Sequence, residues 1–200
     1  MRSREPPPRD RVDAAMDAVD RRGFLPRAQR PWADQDRPLS IGRGQTSSQP
    51  STVAAMLRLL RVPVGACVLD VGAGSGWTTA LLARLVGPDG RVVGVERDPG
   101  IAVWGAENLA RARMPWASLE TARRGVLGRP GETYDRILVS AAATALPAAL
   151  VDQLAARGRM VVPVRHTMTL VERGAEGVRT TEHGSYSFVP LVEEPWDGLD

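Results

Sequence analysis

The chain has 200 residues, of which 43% are hydrophobic and 24% are charged, enough for one domain with a buried core. It contains no run of about 18 apolar residues, so we expect no helix that spans a membrane, and its charged N-terminus lacks the apolar segment of a secretory signal. A single cysteine, Cys67, excludes a disulfide framework or a cysteine-based zinc site. We therefore expect a cytoplasmic globular protein without a metal ion.

The net charge of the sequence arises near its N-terminus. All 26 basic residues are arginine, and residues 1–50 contain ten of them against seven acidic residues, which accounts for the whole net charge of +3. The sequence has no long basic run and no series of aromatic residues suited to stacking on bases. We expect no nucleic-acid partner.

The first part of the chain has little regular periodicity. Residues 1–11, rich in proline and arginine, are expected to form a disordered tail. A short helix is predicted over 12–19, and residues 21–49 have neither helical nor strand periodicity. Pro50 suits the first position of a helix. Apolar residues then recur at the spacing of one helical face: Val53, Met56, Leu57 and Leu60.

From residue 67 onwards, predicted strands and helices alternate. The strands cover 67–71, 91–95, 117–121, 134–139 and 159–164. The helices cover 78–86, 98–113 and 147–156. Three further strands follow without helices between them, at 167–172, 178–181 and 185–189. This order predicts a single α/β domain over 12–192 with a mostly parallel sheet and an antiparallel edge, followed by an acidic tail at 193–200.

A glycine-rich turn follows the strand at 67–71 and carries the sharpest local signal. It reads DVGAGSGW over 70–77, and Glu96 ends the next strand, where a carboxylate can accept both hydroxyls of a ribose. The GxGxG spacing differs from the GxGxxG of dinucleotide sites. Asp70 would repel a pyrophosphate but suits the ammonium and sulfonium of S-adenosyl-L-methionine. The turn resembles motif I of class I S-adenosylmethionine methyltransferases. The predicted cofactor-binding residues here are Asp70, Gly72, Ala73, Gly74, Ser75, Gly76, Glu96 and Arg97. The alternative is a tight turn without a ligand.

The irregular segment upstream carries a more specific resemblance. Residues 38–50, PLSIGRGQTSSQP, resemble the segment PLPIGxGQTISQP found before motif I in protein-L-isoaspartate O-methyltransferases. Further segments are similar to that family's patterns in the same order: RGFLP at 22–26 to RxxFVP, YDRILVSAAA at 134–143, PAALVDQL at 147–154, RMVVPV at 159–164 and SFVPL at 187–191. The resemblance covers about residues 12–192. It implies a Rossmann-like class I methyltransferase fold, with a mostly parallel seven-stranded sheet, helices on both faces and an antiparallel edge.

The resemblance also implies a reaction and its site. Such enzymes methylate the α-carboxylate of L-isoaspartyl residues, and the ester collapses to a succinimide whose hydrolysis restores some aspartate. Ser48 aligns with the family's active-site serine, and we interpret it as a hydrogen-bond donor to the carboxylate beside a helix N-terminus. The alternative for Ser48 is a simple helix cap. Gln45, Thr46 and Ser47 are expected to close over the cofactor. The implied partner is an isoaspartyl protein or peptide, acted on by a monomer.

Several positions depart from the family pattern. Ser47 stands where the family usually has Ile, Ser51 where it often has Tyr or His, and Arg123-Arg124 where an acid-Gly pair commonly contacts adenine. Arg165-His166 replace a glycine-rich piece. These departures keep two alternatives open. One is a relative that methylates Asp in a dedicated precursor peptide, and the other is a binding module that has lost the chemistry.

Overall fold

A computed structural model describes residues 10–192 of the chain. Residues 1–9 of the predicted N-terminal tail and the predicted tail 193–200 lie outside the described residues. The first helix begins at Arg11, and Asp10 is its N-cap residue: the Asp10 carboxylate accepts from the Asp13 N–H at 2.8 Å. The Arg11 guanidinium donates to the Val62 carbonyl at 3.0 Å.

The secondary structure follows the predicted alternation for most of its length. The helices are α1 (Arg11–Ala18), α2 (Pro50–Leu60), α3 (Trp77–Val86), α4 (Pro99–Arg111) and α5 (Ala148–Val151). The strands are β1 (Leu39–Gly42), β2 (Gln45–Ser47), β3 (Cys67–Val71), β4 (Arg91–Glu96), β5 (Ala117–Thr121), β6 (Tyr134–Val139), β7 (Leu154–Val164), β8 (Thr167–Gly174) and β9 (Gly177–Ser185). Two 3₁₀ helices, Arg21–Phe24 and Arg27–Trp32, lie between α1 and β1.

The central sheet within residues 10–192 has seven strands in the order β5-β4-β3-β6-β7-β8-β9. The five strands from β5 to β7 are parallel, and β8 and β9 continue the sheet as antiparallel neighbours. This confirms the predicted mostly parallel sheet with an antiparallel edge. The strand order reverses between β3 and β6, and in open α/β sheets ligands bind at such a switch point, beyond the carboxyl ends of the strands.

Both faces of the central strands are buried, and successive side chains of a strand point to opposite faces. Val68 of β3 packs with α1, α2, α3 and α4 on one face. Leu69, its neighbour, packs on the other face with Tyr134 and with Leu150 of α5. Two apolar layers therefore hold the carboxyl ends of the central strands rigidly in place.

The segment that lacked periodicity in the sequence contains a small hairpin. Strands β1 and β2 pair antiparallel, with Leu39 opposite Ser47. Leu39 and Ile41 point inward with Ile101 of α4, so one face of the hairpin is anchored to the domain. The hairpin brings residues 45–48 over the end of the central sheet.

The predicted helix over 147–156 is wrong in its second half. Helix α5 ends at Val151, and Leu154 already pairs with Tyr134 as part of β7. Between the pairs Tyr134–Leu154 and Arg136–Arg159, β7 contains extra residues that bulge out of the ladder, with Arg157 at φ 64°. The bulge interrupts the two-residue alternation of buried and exposed side chains that marks a strand. For this reason the first residues of β7 were included in the predicted helix.

The predicted strand over 185–189 is also wrong. Strand β9 continues without interruption to Ser185, and the chain then leaves the sheet edge. The Ala142 N–H donates to the Val189 carbonyl at 2.8 Å, and Pro190 bridges to Ala142. Residues 189–192 thereby reach the carboxyl end of the sheet.

Among residues 10–192, no helix combines the length and the apolar character required to cross a membrane.

Candidate functional site

A cavity of about 310 Å³ lies beyond the carboxyl ends of β3, β4, β5 and β6. Its wall is formed by the turn after β3, the end of β4, the loop after β5, the start of the loop after β6, strand β2 and residues 189–192. The size suits a small-molecule ligand, and the position is the switch point of the sheet.

Most of the residues predicted from the sequence meet in this wall. They are Gln45, Thr46, Ser47, Ser48, Gly72, Ala73, Gly74, Ser75, Glu96 and Arg97. Asp70 and Gly76 do not line the cavity. A Cβ on Gly72 would project toward Ser140 and Ala141 across the cavity, at 3.7 and 3.9 Å, so glycine keeps this part open.

The Asp70 carboxylate turns away from the cavity into the domain. It is fully buried, and Oδ2 accepts hydrogen bonds from the hydroxyls of Thr78 and Thr79, each at 2.7 Å. Oδ1 has no partner among the described residues. Burial, opposed by the two threonine hydroxyls, raises the pKa of Asp70 to about 6. Its visible role is to tie the glycine turn to the first turn of α3.

Glu96 is held in the cavity wall by two backbone groups. Its Oε2 accepts from the Gly74 N–H and its Oε1 from the Asp98 N–H, each at 3.0 Å. The side chain is 5% exposed, yet it lines the cavity. Each carboxylate oxygen keeps a second lone pair, so the group can accept two neighbouring hydroxyls from a ligand.

The third glycine of the motif serves helix packing. Gly76 has φ 87°, and a Cβ there would lie 2.9 Å from the carbonyl oxygen of Gly105 in α4. In turn, a Cβ on Gly105 would lie 2.6 Å from the Gly74 carbonyl oxygen. The close approach of α4 is thus sufficient to require glycine at this position, and the prediction that Gly76 binds the cofactor stays a prediction.

Ser48 lies in the cavity wall immediately before α2. The N-cap residue of α2 is Gln49, and no side chain caps this helix. Within residues 10–192 the Ser48 hydroxyl makes no hydrogen bond, whereas the Ser48 carbonyl accepts one from Arg21 at 2.9 Å. The alternative that Ser48 is a helix cap is wrong, and its hydroxyl is free to meet a ligand.

The comparisons with known proteins agree with this geometry. A family model described as protein-L-isoaspartate(D-aspartate) O-methyltransferase (PCMT) matches residues 5–195. The chain belongs to this family. A protein-L-isoaspartate O-methyltransferase of Methanopyrus kandleri is 45% identical over 191 residues, which cover 92% of this chain and 84% of the relative. Another, of Anaeromyxobacter dehalogenans, is 44% identical over 193 residues, which cover 92% of this chain and 90% of the relative.

A solved structure is similar over the same length. It is a crystal structure of a Plasmodium falciparum protein assigned to the PCMT group, in complex with S-adenosyl-L-homocysteine. The TM-score is 0.78 at 27% identity, and the match covers 94% of this chain and 92% of the other. The PCMT fold therefore extends over nearly the whole chain.

One residue of this PCMT site was missed in the sequence. Arg21 is only 4% exposed and donates hydrogen bonds to both Ser47 and Ser48. The resemblance of residues 22–26 to the family's RxxFVP pattern places Arg22 at the arginine of that pattern. Counting back three residues from Phe24 gives Arg21 instead, so the spacing of that pattern could have identified it.

The helix end beside Ser48 offers less to an anionic ligand than expected. Pro50 has no N–H, and the Ser51 N–H already donates to the Asp36 carboxylate at 2.8 Å. That hydrogen bond lowers the pKa of Asp36, so the carboxylate stays ionised at neutral pH. The expectation that this helix N-terminus itself holds a substrate carboxylate is not supported by these contacts.

The loop after β5 forms another part of the wall, where the PCMT pattern has an acid-Gly pair. Residues 122–128 all line the cavity, including the exposed Arg123 and Arg124. The Gln153 side-chain amide binds the backbone of this loop: its Nε2 donates to the Leu127 carbonyl at 2.9 Å and its Oε1 accepts from the Arg129 N–H at 2.7 Å. These two hydrogen bonds hold the loop backbone in position.

Proposed function

We propose that this PCMT-family protein methylates the α-carboxylate of L-isoaspartyl residues in damaged proteins and peptides, with S-adenosyl-L-methionine as the methyl donor. The methyl ester then collapses to a succinimide, and hydrolysis of the succinimide returns part of the material to normal aspartate. One observation carries the assignment: the Ser48 hydroxyl, which makes no hydrogen bond with the described residues, shares one cavity with Glu96 and the glycine turn.

The residues of the cavity fit the cofactor. Glu96 would accept the ribose hydroxyls. It lines the cavity, and backbone N–H groups already hold its two carboxylate oxygens in position. Gly72 and Gly74 allow a close approach to the turn. The loop 122–128 would enclose the adenine end, and residues 45–47 would cover the cofactor. When bound, S-adenosyl-L-methionine supplies a methyl group on a sulfonium, which a carboxylate oxygen can displace.

The protein's own contribution to this reaction is mainly positioning. A carboxylate is ionised at neutral pH, so the site needs no base to remove a proton. Ser48 would donate its hydroxyl hydrogen to one carboxylate oxygen and orient the other toward the methyl group. The hairpin residues 45–48 and the segment 189–192 close the cavity from two sides and limit the access of water.

A paired-peptide experiment tests the assignment. The protein is mixed with methyl-labelled S-adenosyl-L-methionine and two peptides of one sequence, which carry isoaspartate or aspartate at a single position. We expect label and the mass of one added CH₂ on the isoaspartyl peptide alone, followed by the succinimide. Label on neither peptide would contradict the assignment and favour a dedicated precursor peptide or a non-catalytic module.

The role of Ser48 is tested by substitution in the same assay. We expect Ser48→Ala to lower kcat roughly tenfold to a hundredfold, because the carboxylate loses the hydrogen bond that orients it. Binding of S-adenosyl-L-homocysteine should not change. Ser118→Ala, an exposed serine of β5 outside the cavity, is the matched control. A kcat of Ser48→Ala equal to that of the control would refute the role given to Ser48.

We further propose that the protein acts as a monomer in the cytoplasm. Its single cysteine is free, as is usual in a reducing compartment. The large hydrophobic residues exposed among residues 10–192 are scattered over different segments: Trp32, Val64, Val103, Leu146, Val178 and Val192. Light scattering on the purified protein at micromolar concentration should give the mass of one chain, and a dimer mass would contradict the proposal.

A further inference from the structure

The Arg21 side chain lies beneath the segment that carries Ser48. Its guanidinium donates on one side to the carbonyls of Ala33, Gln35 and Arg37, at 3.3, 3.2 and 3.0 Å. On the other side it donates to the carbonyls of Ser47 and Ser48, both at 2.9 Å, and its Nε donates to the Ser47 hydroxyl at 3.1 Å. One buried side chain thus joins residues 33–37 to the cavity wall.

The positive charge of Arg21 is not cancelled at contact distance. All six of its acceptors are uncharged oxygens, and no carboxylate of residues 10–192 hydrogen-bonds to it. Its guanidinium carbon lies 5.3 Å from the ring centre of Trp77, which also lines the cavity. The charged groups that influence it are Asp36 and Arg37. Burial lowers the pKa of Arg21 to about 10, so it remains a cation at neutral pH.

We propose that Arg21 is a positioning residue for methyl transfer: it fixes the backbone of Ser47 and Ser48, and its charge draws the substrate carboxylate to the Ser48 end of the cavity. This inference rests on the proposed isoaspartyl methyltransferase activity. Arg21 would supply positive charge beside Ser48 in place of the adjacent helix N-terminus, whose Ser51 N–H already donates to Asp36.

Lysine and methionine substitutions of Arg21 separate the two roles. Arg21→Lys keeps a charge but cannot span two segments with a rigid fork of five N–H groups. We expect its kcat to fall roughly tenfold to a hundredfold, with the KM for the isoaspartyl peptide almost unchanged at neutral pH. Arg21→Met removes the charge as well. Besides the same loss of kcat, we expect its KM for the isoaspartyl peptide to rise roughly tenfold.

The pH dependence of KM gives a readout that a purely structural role would not move. Burial lowers the pKa of a lysine amine, so the Arg21→Lys variant should lose its charge at this position within the mildly alkaline range. Its KM for the peptide should then rise from about pH 7 to about pH 9, whereas the wild-type KM should stay flat there because Arg21 remains charged. Loss of folded protein alone would lower kcat and leave KM and its pH profile unchanged.

Arg22→Lys and Arg22→Met are the matched controls. The neighbouring Arg22 is exposed and pairs with Asp20 and Asp34, away from the cavity. Both controls should keep the wild-type kcat and KM. A folded Arg21→Lys variant with wild-type kcat and a flat KM profile would overturn the inference, and it would do so even where Arg21→Met fails to fold.

The same assay separates failure of this inference from failure of the proposed function. If the wild-type protein methylates the isoaspartyl peptide and the Arg21 variants match the Arg22 controls, only the role of Arg21 falls. If the wild-type protein leaves the isoaspartyl peptide unlabelled, the proposed function falls and the inference falls with it.

Discussion

Replacing Gly76 by alanine tests whether the third glycine of the motif serves helix packing. The residue has φ 87°, where a Cβ costs about 1–2 kcal/mol. The new Cβ would also lie 2.9 Å from the Gly105 carbonyl oxygen, and a forced contact with backbone costs about 1–3 kcal/mol more. We therefore expect Gly76→Ala to lower the free energy of unfolding by about 2–5 kcal/mol.

A matched control isolates the contact with α4. Gly131 has φ 92°, and a Cβ there would meet nothing within 4 Å. Gly131→Ala should therefore lose only the conformational part, about 1–2 kcal/mol. Urea denaturation of both variants measures the difference, since a change in midpoint at constant slope reports stability.

The result can refute the packing argument directly. Equal losses for Gly76→Ala and Gly131→Ala would show that Gly105 does not constrain the turn. If Gly76→Ala matched the control in stability but bound S-adenosyl-L-homocysteine much more weakly, Gly76 would serve ligand contact after all.

Two further predictions concern the carboxylates of the motif. Glu96→Ala should weaken binding of S-adenosyl-L-homocysteine roughly tenfold to a hundredfold, because two ligand hydroxyls lose a charged acceptor; equal affinities in calorimetry would contradict this. The folded-state pKa of Asp70 is about 6, above the ordinary value of 3.8. Asp70 therefore destabilises the fold as pH rises from about 4 through 6, by about 3 kcal/mol at neutral pH. In urea denaturation, the free energy of unfolding of Asp70→Asn relative to that of the wild type should increase by about 3 kcal/mol between about pH 4 and pH 7. If this difference in free energy did not change with pH, the burial of an ionised Asp70 would be contradicted.

The location of the site was predictable because it depends on short-range order along the chain. In a parallel sheet the carboxyl ends of neighbouring strands meet at one edge, so the turn after β3 and Glu96 at the end of β4 had to lie close together. The hydrogen bond from the Gly74 N–H to the Glu96 carboxylate shows that they do lie close together.

The supporting contacts were not predictable, because they join residues far apart in a segment without periodicity. Arg21 meets Ser47 and Ser48 across 26 and 27 positions of the chain. Gln153 supports the loop at Leu127 across 26 positions. A long side chain that crosses from one segment to another leaves no repeat in the sequence. The spacing of the RxxFVP pattern could have identified Arg21, but not the contacts that it makes.

The α/β order of elements, the motif at the end of β3 and the family resemblance depend on local residue order, so the amino-acid sequence was sufficient to predict them. The tertiary structure alone decided which motif residues face the cavity. Helix α4 approaches the turn so closely that a side chain at Gly76 would contact it. The Thr78 and Thr79 hydroxyls of α3 donate hydrogen bonds to the Asp70 carboxylate and hold it inside the domain. A side chain's direction depends on what packs against it, and those neighbours come from elsewhere in the chain.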